Sequence, residues 1–299
     1  MKIPAPGRIV QGIHMRVEGR GSPVVVLEAG IAASSVSWSL VQSRIAEFTT
    51  VISYDRAGFG WSEATPTGPT ALDAAHSLSC LLDASGQMGS FVLVGHSFGG
   101  LIARLFAQHY PNRTAGLVLL DPVVREEWRE MSAAKERMLG RGVMLSRRGA
   151  WLARAGVVGF ALKMLTGGSR RIPKMMAKLS AGKGSGVADR LVGEVRKMPK
   201  EHWPAIAQHW SQARSFAAMA DNLENLPASV RQLDEAQTMG DLPVTILTAA
   251  RPIPEHARDV ALSTRSCQVI LPRSGHWVQL DAPDAVVDAV RRMVELVRA

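Results

Sequence analysis

Four short apolar runs within the first 120 residues, each stopped by glycine or a polar pair, constrain this chain more than any other feature. They are Val24 to Leu27, followed by Gly30; Val51 to Tyr54, followed by Asp55-Arg56; Phe91 to Val94, followed by Gly95; and Leu117 to Leu120, followed by Asp121-Pro122. The runs are continuous rather than alternating. A strand of that kind shows apolar side chains to both faces, so it belongs in a parallel sheet covered by helices on either side. Helical patterns fill the gaps between them. Leu72 to Ser85 carries Leu78, Leu81 and Leu82 at helical spacing, and Leu101 to Tyr110 is stopped by Pro111. A short hairpin precedes the series, Arg8 to Val10 and Ile13 to Val17, with Gly12 in its turn.

The strand rhythm stops at Pro122 and resumes at Pro243 to Leu247, then at Gln268 to Leu271, before a last amphipathic helix from about Ala285 to Val297. The segment between is rich in Met, Trp, Arg and Lys at helix-like spacing. It therefore interrupts one sheet rather than following it. We expect an α/β core of residues 1–121 and 241–299, with residues 122–240 inserted as a helical cap. Glycine clusters punctuate the insertion at 167–168 and 182–186. The second resembles a phosphate loop but lacks the glycine five residues ahead of its Gly-Lys pair and the preceding strand, so it reads as a flexible turn. Gly149 to Thr166 is the most lipid-like stretch. Arg154 and Lys163 interrupt it and it is short for a membrane span, so it reads as an amphipathic helix. Met131, Met138, Met144, Met164, Met175, Met176, Met198 and Met219, with Trp128, Trp203, Trp210 and Phe216, are candidates for an apolar pocket lining.

The chain's 299 residues suffice for one large α/β domain with an insertion. Its net charge of +9 lies wholly in residues 122–240, which hold 20 Lys/Arg against 11 Asp/Glu, while the rest holds 15 of each. A solvated helical surface accounts for this, with attraction of anionic substrates or contact with a membrane surface as alternatives. No zinc-ligand, RNP-like or helix-turn-helix pattern accompanies the charge, so nucleic acid is not an expected partner. Cys80 and Cys267 are the only cysteines and read as free thiols in a reducing compartment. Residues 1–10 carry no long apolar run and do not read as a signal peptide, so a cytoplasmic location is expected.

The chemistry centres on Gly95-His96-Ser97-Phe98-Gly99, a Gly-x-Ser-x-Gly pattern set between a strand and a helix. A turn this tight strains the serine and projects Ser97 Oγ above the sheet, while the helix N-terminus favours negative charge forming there. A serine hydroxyl needs a base to become a nucleophile. His276, in Ser274-Gly275-His276-Trp277 between the last strand and the last helix, is the candidate. His14 lies in the hairpin, His76 and His109 on helices, and His202, His209 and His256 in or near irregular or inserted segments. His96 adjoins the nucleophile, and its side chain should point elsewhere. A carboxylate must fix the base's tautomer. Asp121 ends its strand at the same sheet edge as Ser97. The strand end after Leu247 offers no nearby Asp, and Glu255 and Asp259 are the next acids there. The oxyanion donors expected are the backbone N–H groups of Phe98 and Ile31, with Ala29 or Gly30 replacing Ile31 on a one-residue shift. This chemistry requires neither metal nor cofactor.

These residues resemble the α/β-hydrolase superfamily, in particular its cap-bearing esterase-like members. The resemblance rests on Gly-His-Ser-Phe-Gly-Gly (95–100), Asp-Arg-Ala-Gly-Phe-Gly-Trp-Ser (55–62), Ser-Gly-His-Trp (274–277) and the order serine, acid, histidine. It implies a mostly parallel eight-stranded sheet flanked by helices. There are two departures: Ala29-Gly30 replaces the usual His-Gly of the oxyanion loop, and the usual acid after the seventh strand is missing. Some dehalogenase-like members place the acid after the sixth strand, where Asp121 stands. Dehalogenases and epoxide hydrolases carry an aspartate at the elbow, so Ser97 argues against both reactions. The expected activity is hydrolysis of a small-molecule ester with an apolar acyl part, through an acyl-enzyme. Thioesters, lactones, amides, carbon–carbon bonds and peracids are served by the same machinery, and a slow-turnover ligand sensor is a reading of another class.

Overall fold

The computed structural model describes residues 3–65, 68–166, 194–233, 238–249, 261 and 263–299. Glu255, Asp259, His256 and both glycine clusters of the insertion lie outside them. Eight strands form one sheet: β1 (Arg8–Val10), β2 (Ile13–Glu18), β3 (Val24–Glu28), β4 (Val51–Tyr54), β5 (Phe91–His96), β6 (Thr114–Leu120), β7 (Val244–Thr248) and β8 (Ser266–Ile270), in the order β1-β2-β4-β3-β5-β6-β7-β8. The β1–β2 and β2–β4 pairings are antiparallel and the rest parallel.

The continuous apolar runs divide by pleat. Val26, Leu93, Leu117 and Leu119 join one buried cluster, while Val25, Leu27, Val92, Val94, Val118 and Leu120 join another. On the first face lie α2 (Ala71–Ala84) and α3 (Phe98–His109). On the second lie α1 (Gln42–Ala46) and the C-terminal helix, whose Val286, Val287, Val290, Met293 and Val294 form its buried stripe. Thr70 and Asp73 form a capping box that starts α2.

Between β6 and β7 the labelled elements among the described residues are helical: α4 (Glu126–Arg129), α5 (Ala133–Arg154), α6 (Val157–Thr166), α7 (Trp203–Trp210), α8 (Ala213–Glu224) and α9 (Leu226–Arg231), with one 3₁₀ turn. After β8 come α10 (Val278–Asp281) and α11 (Pro283–Arg298). The stretch from Gly149 to Thr166 is not the single amphipathic helix the sequence suggests. Gly156 sits at φ +75°, a left-handed conformation that ends α5 and starts α6. No helix among the described residues is long and apolar enough to cross a membrane. Cys80 and Cys267 are both free and exposed.

Candidate active site

Ser97 joins β5 to α3 with φ +53° and ψ −116°, outside the conformations that L-residues favour. Close backbone approach sets the turn. A Cβ on Gly99 would lie 2.2 Å from the Glu28 carbonyl oxygen, so only glycine lets α3 start this close to the end of β3. Parallel pairing then places the acid beside the serine. His96 pairs with Leu120, and one step further the Ser97 N–H donates to the Leu120 carbonyl at 3.0 Å. The Asp121 N–H in turn donates to Leu247 at 2.8 Å, tying the acid to the end of β7. Asp121 also has positive φ, +41°.

Asp121 and His276 are 155 residues apart in sequence, yet His276 Nδ1 lies 2.6 Å from Asp121 Oδ2. A carboxylate can only accept, so Nδ1 donates in this contact, and it is the tautomer of the neutral imidazole with its lone pair on Nε2 that the contact favours. The other carboxylate oxygen, Oδ1, accepts from the Ala249 N–H at 3.1 Å. The loop carrying His276 is held from two sides. Asp281 Oδ2 accepts the Gly275 N–H at 2.8 Å, and His96 Nε2 donates to the His276 carbonyl at 2.8 Å. Burial holds the His96 imidazole down to about 3, so it is neutral, with its proton on Nε2. The His96 ring also packs against those of His276 and Trp277, with centroids 4.8 and 5.3 Å away.

The loop after β3 is anchored by Glu28 and Arg56, to which the sequence alone assigns no role. Arg56 Nη1 pairs with buried Glu28 and donates to the Ala29 carbonyl, and Nη2 donates to the Gly30 carbonyl at 2.6 Å. Burial raises the Glu28 carboxyl, against the opposing pull of Arg56 and the Tyr54 hydroxyl. In a trans peptide the N–H points opposite to the C=O. Drawing the Ala29 and Gly30 carbonyls to Arg56 therefore turns the Gly30 and Ile31 N–H groups the other way. Among the described residues neither N–H has an acceptor, and nor does that of Phe98, the first residue of α3, as at helix starts generally.

The family model described as alpha/beta hydrolase family matches residues 24–289. The chain belongs to the alpha/beta hydrolase family. The uncharacterized protein YqjL of Bacillus subtilis is 33% identical over 107 residues, 36% of this chain and 42% of that protein. Lipase LipV of Mycobacterium tuberculosis is 33% identical over 129 residues, 42% of this chain and 48% of that protein. Both matches span less than half of the relative's own length. Among solved structures, a thermophilic esterase from Thermogutta terrifontis superposes with a TM-score of 0.65 at 23% identity, covering 96% of this chain and 94% of that one. At that identity the likeness is one of fold.

The segment that starts at Asp55 is pinned by a second buried network. Asp55 accepts the Ser35 N–H at 2.6 Å, the Trp61 N–H at 3.0 Å and His14 Nδ1 at 2.8 Å. Burial works to lower the His14 imidazole, but the hydrogen bond and charge of Asp55 outweigh it and the net shift is upward. Burial likewise works to raise Asp55, and His14 with the two amides brings it down. A cavity of about 60 Å³ lies between the loop after β3 and helices that follow β6. Its lining includes Ala32, Ala33 and Ser34, which follow Ile31, and Trp277, which follows His276; Met198, Ile206, His209 and Trp210 face them. Of the residues expected to line a pocket, Met198 and Trp210 do so, whereas Met138 and Met144 are exposed. A second cavity of about 380 Å³ lies against Val10, Tyr54, Arg56, Phe98 and Asn222. Ser97 is not among the described lining residues of either.

Proposed function

We propose that this chain is a serine hydrolase that cleaves small-molecule carboxylic esters through an acyl-enzyme. The observation that carries the reading is the His276–Asp121 pair at 2.6 Å, suspended from the strand next to the Ser97 elbow. Ser97 Oγ attacks the ester carbonyl while His276 Nε2 takes its proton. The oxyanion rests on the N–H groups of Phe98 and Ile31. The tetrahedral intermediate collapses, the C–O bond breaks and His276 returns the proton to the departing alcohol. Water then repeats the sequence on the acyl-enzyme, giving the acid and free Ser97. Asp121 keeps the imidazole in the reactive tautomer and stabilises the imidazolium.

A serine nucleophile distinguishes this scheme from the aspartyl alkyl-enzymes of dehalogenases and epoxide hydrolases. The helices between β6 and β7 act as a cap that selects an apolar acyl group; Met198, Ile206 and Trp210 on the cavity wall support this. The test is hydrolysis of p-nitrophenyl butyrate together with labelling by a fluorophosphonate. Wild type should do both and Ser97→Ala neither; retained turnover in Ser97→Ala would sink the assignment.

A further inference from the structure

Helix α5 (Ala133–Arg154) carries its large apolar side chains on the wrong side for a core helix. Its buried residues are Ser146, Ala150 and Ala153, and it packs on α8 through small residues. A Cβ on Gly149 would lie 2.4 Å from the Phe216 ring, and one on Gly142 would lie 3.3 Å from Leu223. At 3.6 residues per turn, Met144 and Trp151 stand on the opposite side. Trp151 is 68% exposed and Met144 51%. A helix lying on a soluble core buries such residues and exposes polar ones. Arg137, Arg141 and Arg148 share the outer sector with them, and all three are exposed. Past the turn at Gly156, Phe160 of α6 is exposed as well, at 57%. The only acid of α5 is Glu136. Lys135 and Arg147 pair with Glu127 and Glu224, whereas Arg137, Arg141, Arg148 and Arg154 have no carboxylate partner among the described residues.

We propose that the outer face of α5, extended by Phe160, docks this protein on an anionic membrane surface. The inference stands apart from the ester-hydrolase reading and does not need it. Charge complementarity selects the partner. A row of unpaired arginines calls for a polyanion, and the excess positive charge of the whole chain lies in the segment that contains α5. A second copy of the chain is a poor occupant, because a two-fold contact would set the arginine row against itself. A soluble polyanion would use the arginines, but Met144, set between Arg141 and Arg148, gains nothing from it. A lipid surface uses both kinds of residue. Its phosphates meet the guanidinium groups, the arginine stems lie along the boundary, and Trp151, Met144 and Phe160 enter the outer acyl layer. Tryptophan suits that depth because its ring is apolar while its indole N–H stays near the headgroups. No helix among the described residues is built to span the bilayer, so the contact is peripheral.

The experiment is co-sedimentation of the full chain with vesicles of pure phosphatidylcholine and with vesicles of equal parts phosphatidylcholine and phosphatidylglycerol. Wild type should bind the mixed vesicles, ignore the pure ones, and bind less as NaCl rises from about 0.1 to about 0.5 M. Arg141→Glu/Arg148→Glu should weaken binding at least about 25-fold, at about fivefold for each charge taken from an anionic surface. Trp151→Ser should weaken it about tenfold or more, since a buried aromatic side chain is lost. All three positions are exposed, so both variants should keep the wild-type urea midpoint. Arg20→Glu/Arg265→Glu makes the same change in net charge at exposed sites on other elements and should bind like wild type. Wild type that stays in solution with the mixed vesicles at low salt overturns the proposal, and needs no variant to fold. Equal weakening by the two double variants also overturns it, because diffuse charge would then suffice. A wild-type dimer in sedimentation velocity that Trp151→Ser dissolves overturns it too, assigning the face to a second copy. Ester hydrolysis by Ser97 stands or falls separately from all of these outcomes.

Discussion

The Arg56 anchor makes the sharpest prediction about catalysis, because it separates stability from aim. Arg56→Met removes the guanidinium contacts to Glu28, Ala29 and Gly30 together. Glu28 is 1% exposed and would keep only the Tyr54 hydroxyl, so the variant should lose about 3–5 kcal/mol of stability from the stranded carboxylate. Replacing both partners, in Glu28→Gln/Arg56→Met, removes the charge and should recover most of that loss. It cannot recover the pull on the two carbonyls. The Gly30 and Ile31 N–H groups share peptide planes with those carbonyls, so freeing the planes misaims the donors. Losing one oxyanion donor costs about 10²–10³ in kcat, or about 2.7–4 kcal/mol. The double variant should therefore unfold in urea near the wild-type midpoint and hydrolyse p-nitrophenyl butyrate at a kcat lower by that factor, with KM little changed. A folded double variant within about threefold of the wild-type kcat would refute the link between Arg56 and the oxyanion loop.

Asp121→Asn should favour the wrong tautomer of His276 and lower kcat by about 10⁴; if Asp121→Asn stays near wild type while Glu255→Gln collapses in the same ester assay, the acid is Glu255. Gly99→Ala drives a Cβ to 2.2 Å from the Glu28 carbonyl, so chemical denaturation should show a loss of at least about 1–3 kcal/mol, and an unchanged midpoint would mean that β3 and α3 can separate. The folded-state pKa of His209, about 4, lies below its ordinary 6.5. The unfolded chain therefore binds the extra proton, and this residue's share of stability falls as pH drops from about 6.5 towards 4, by up to about 3 kcal/mol. His96, held down to about 3, acts in the same sense; His14, whose pKa is raised, acts in the opposite one. Urea midpoints of His209→Gln should thus fall less between pH 7 and pH 5 than those of wild type, and identical slopes would exclude a buried neutral His209.

Much of the fold is legible in the sequence because pleat and burial are local properties. An unbroken run such as Val24–Leu27 must be covered on both faces wherever it lies, so several such runs in series make a parallel sheet, while the number of eight strands comes from the family resemblance. Ser97 and His276 are legible for a related reason: each occupies a recognisable strand-end turn. Glu28, Arg56, His96 and His209 are different, since what they do depends on partners that no local pattern reveals. Ser34 and His209, for example, are 175 positions apart. One signal did exist. Glu28 is a charge at the end of an apolar strand, and the β3–β4 register that pairs Leu27 with Ser53 brings it beside the segment carrying Tyr54 and Arg56. A carboxylate buried there requires a cation, and Arg56 is the cation nearest in sequence to the end of the paired strand β4. Composition over Gly149 to Thr166 stays helix-compatible and hides the break at Gly156, which a single φ of +75° makes.

The absence of an acid close after β7 acquires a physical sense from the same geometry. With the acid at Asp121, two oxygens must be satisfied in a pocket where the side chain is only 13% exposed. His276 takes Oδ2, and the Ala249 N–H takes Oδ1 from just beyond β7, the strand end that would otherwise carry the acid. An aspartate close after β7 would place a second carboxylate near Asp121 and raise the cost of ionising both. Small, uncharged residues at Thr248-Ala249 leave the backbone free to donate instead. In the proposed triad the end of β7 thus supports the charge instead of supplying it, and an acid introduced at Ala249 should interfere with the His276–Asp121 pair rather than duplicate it.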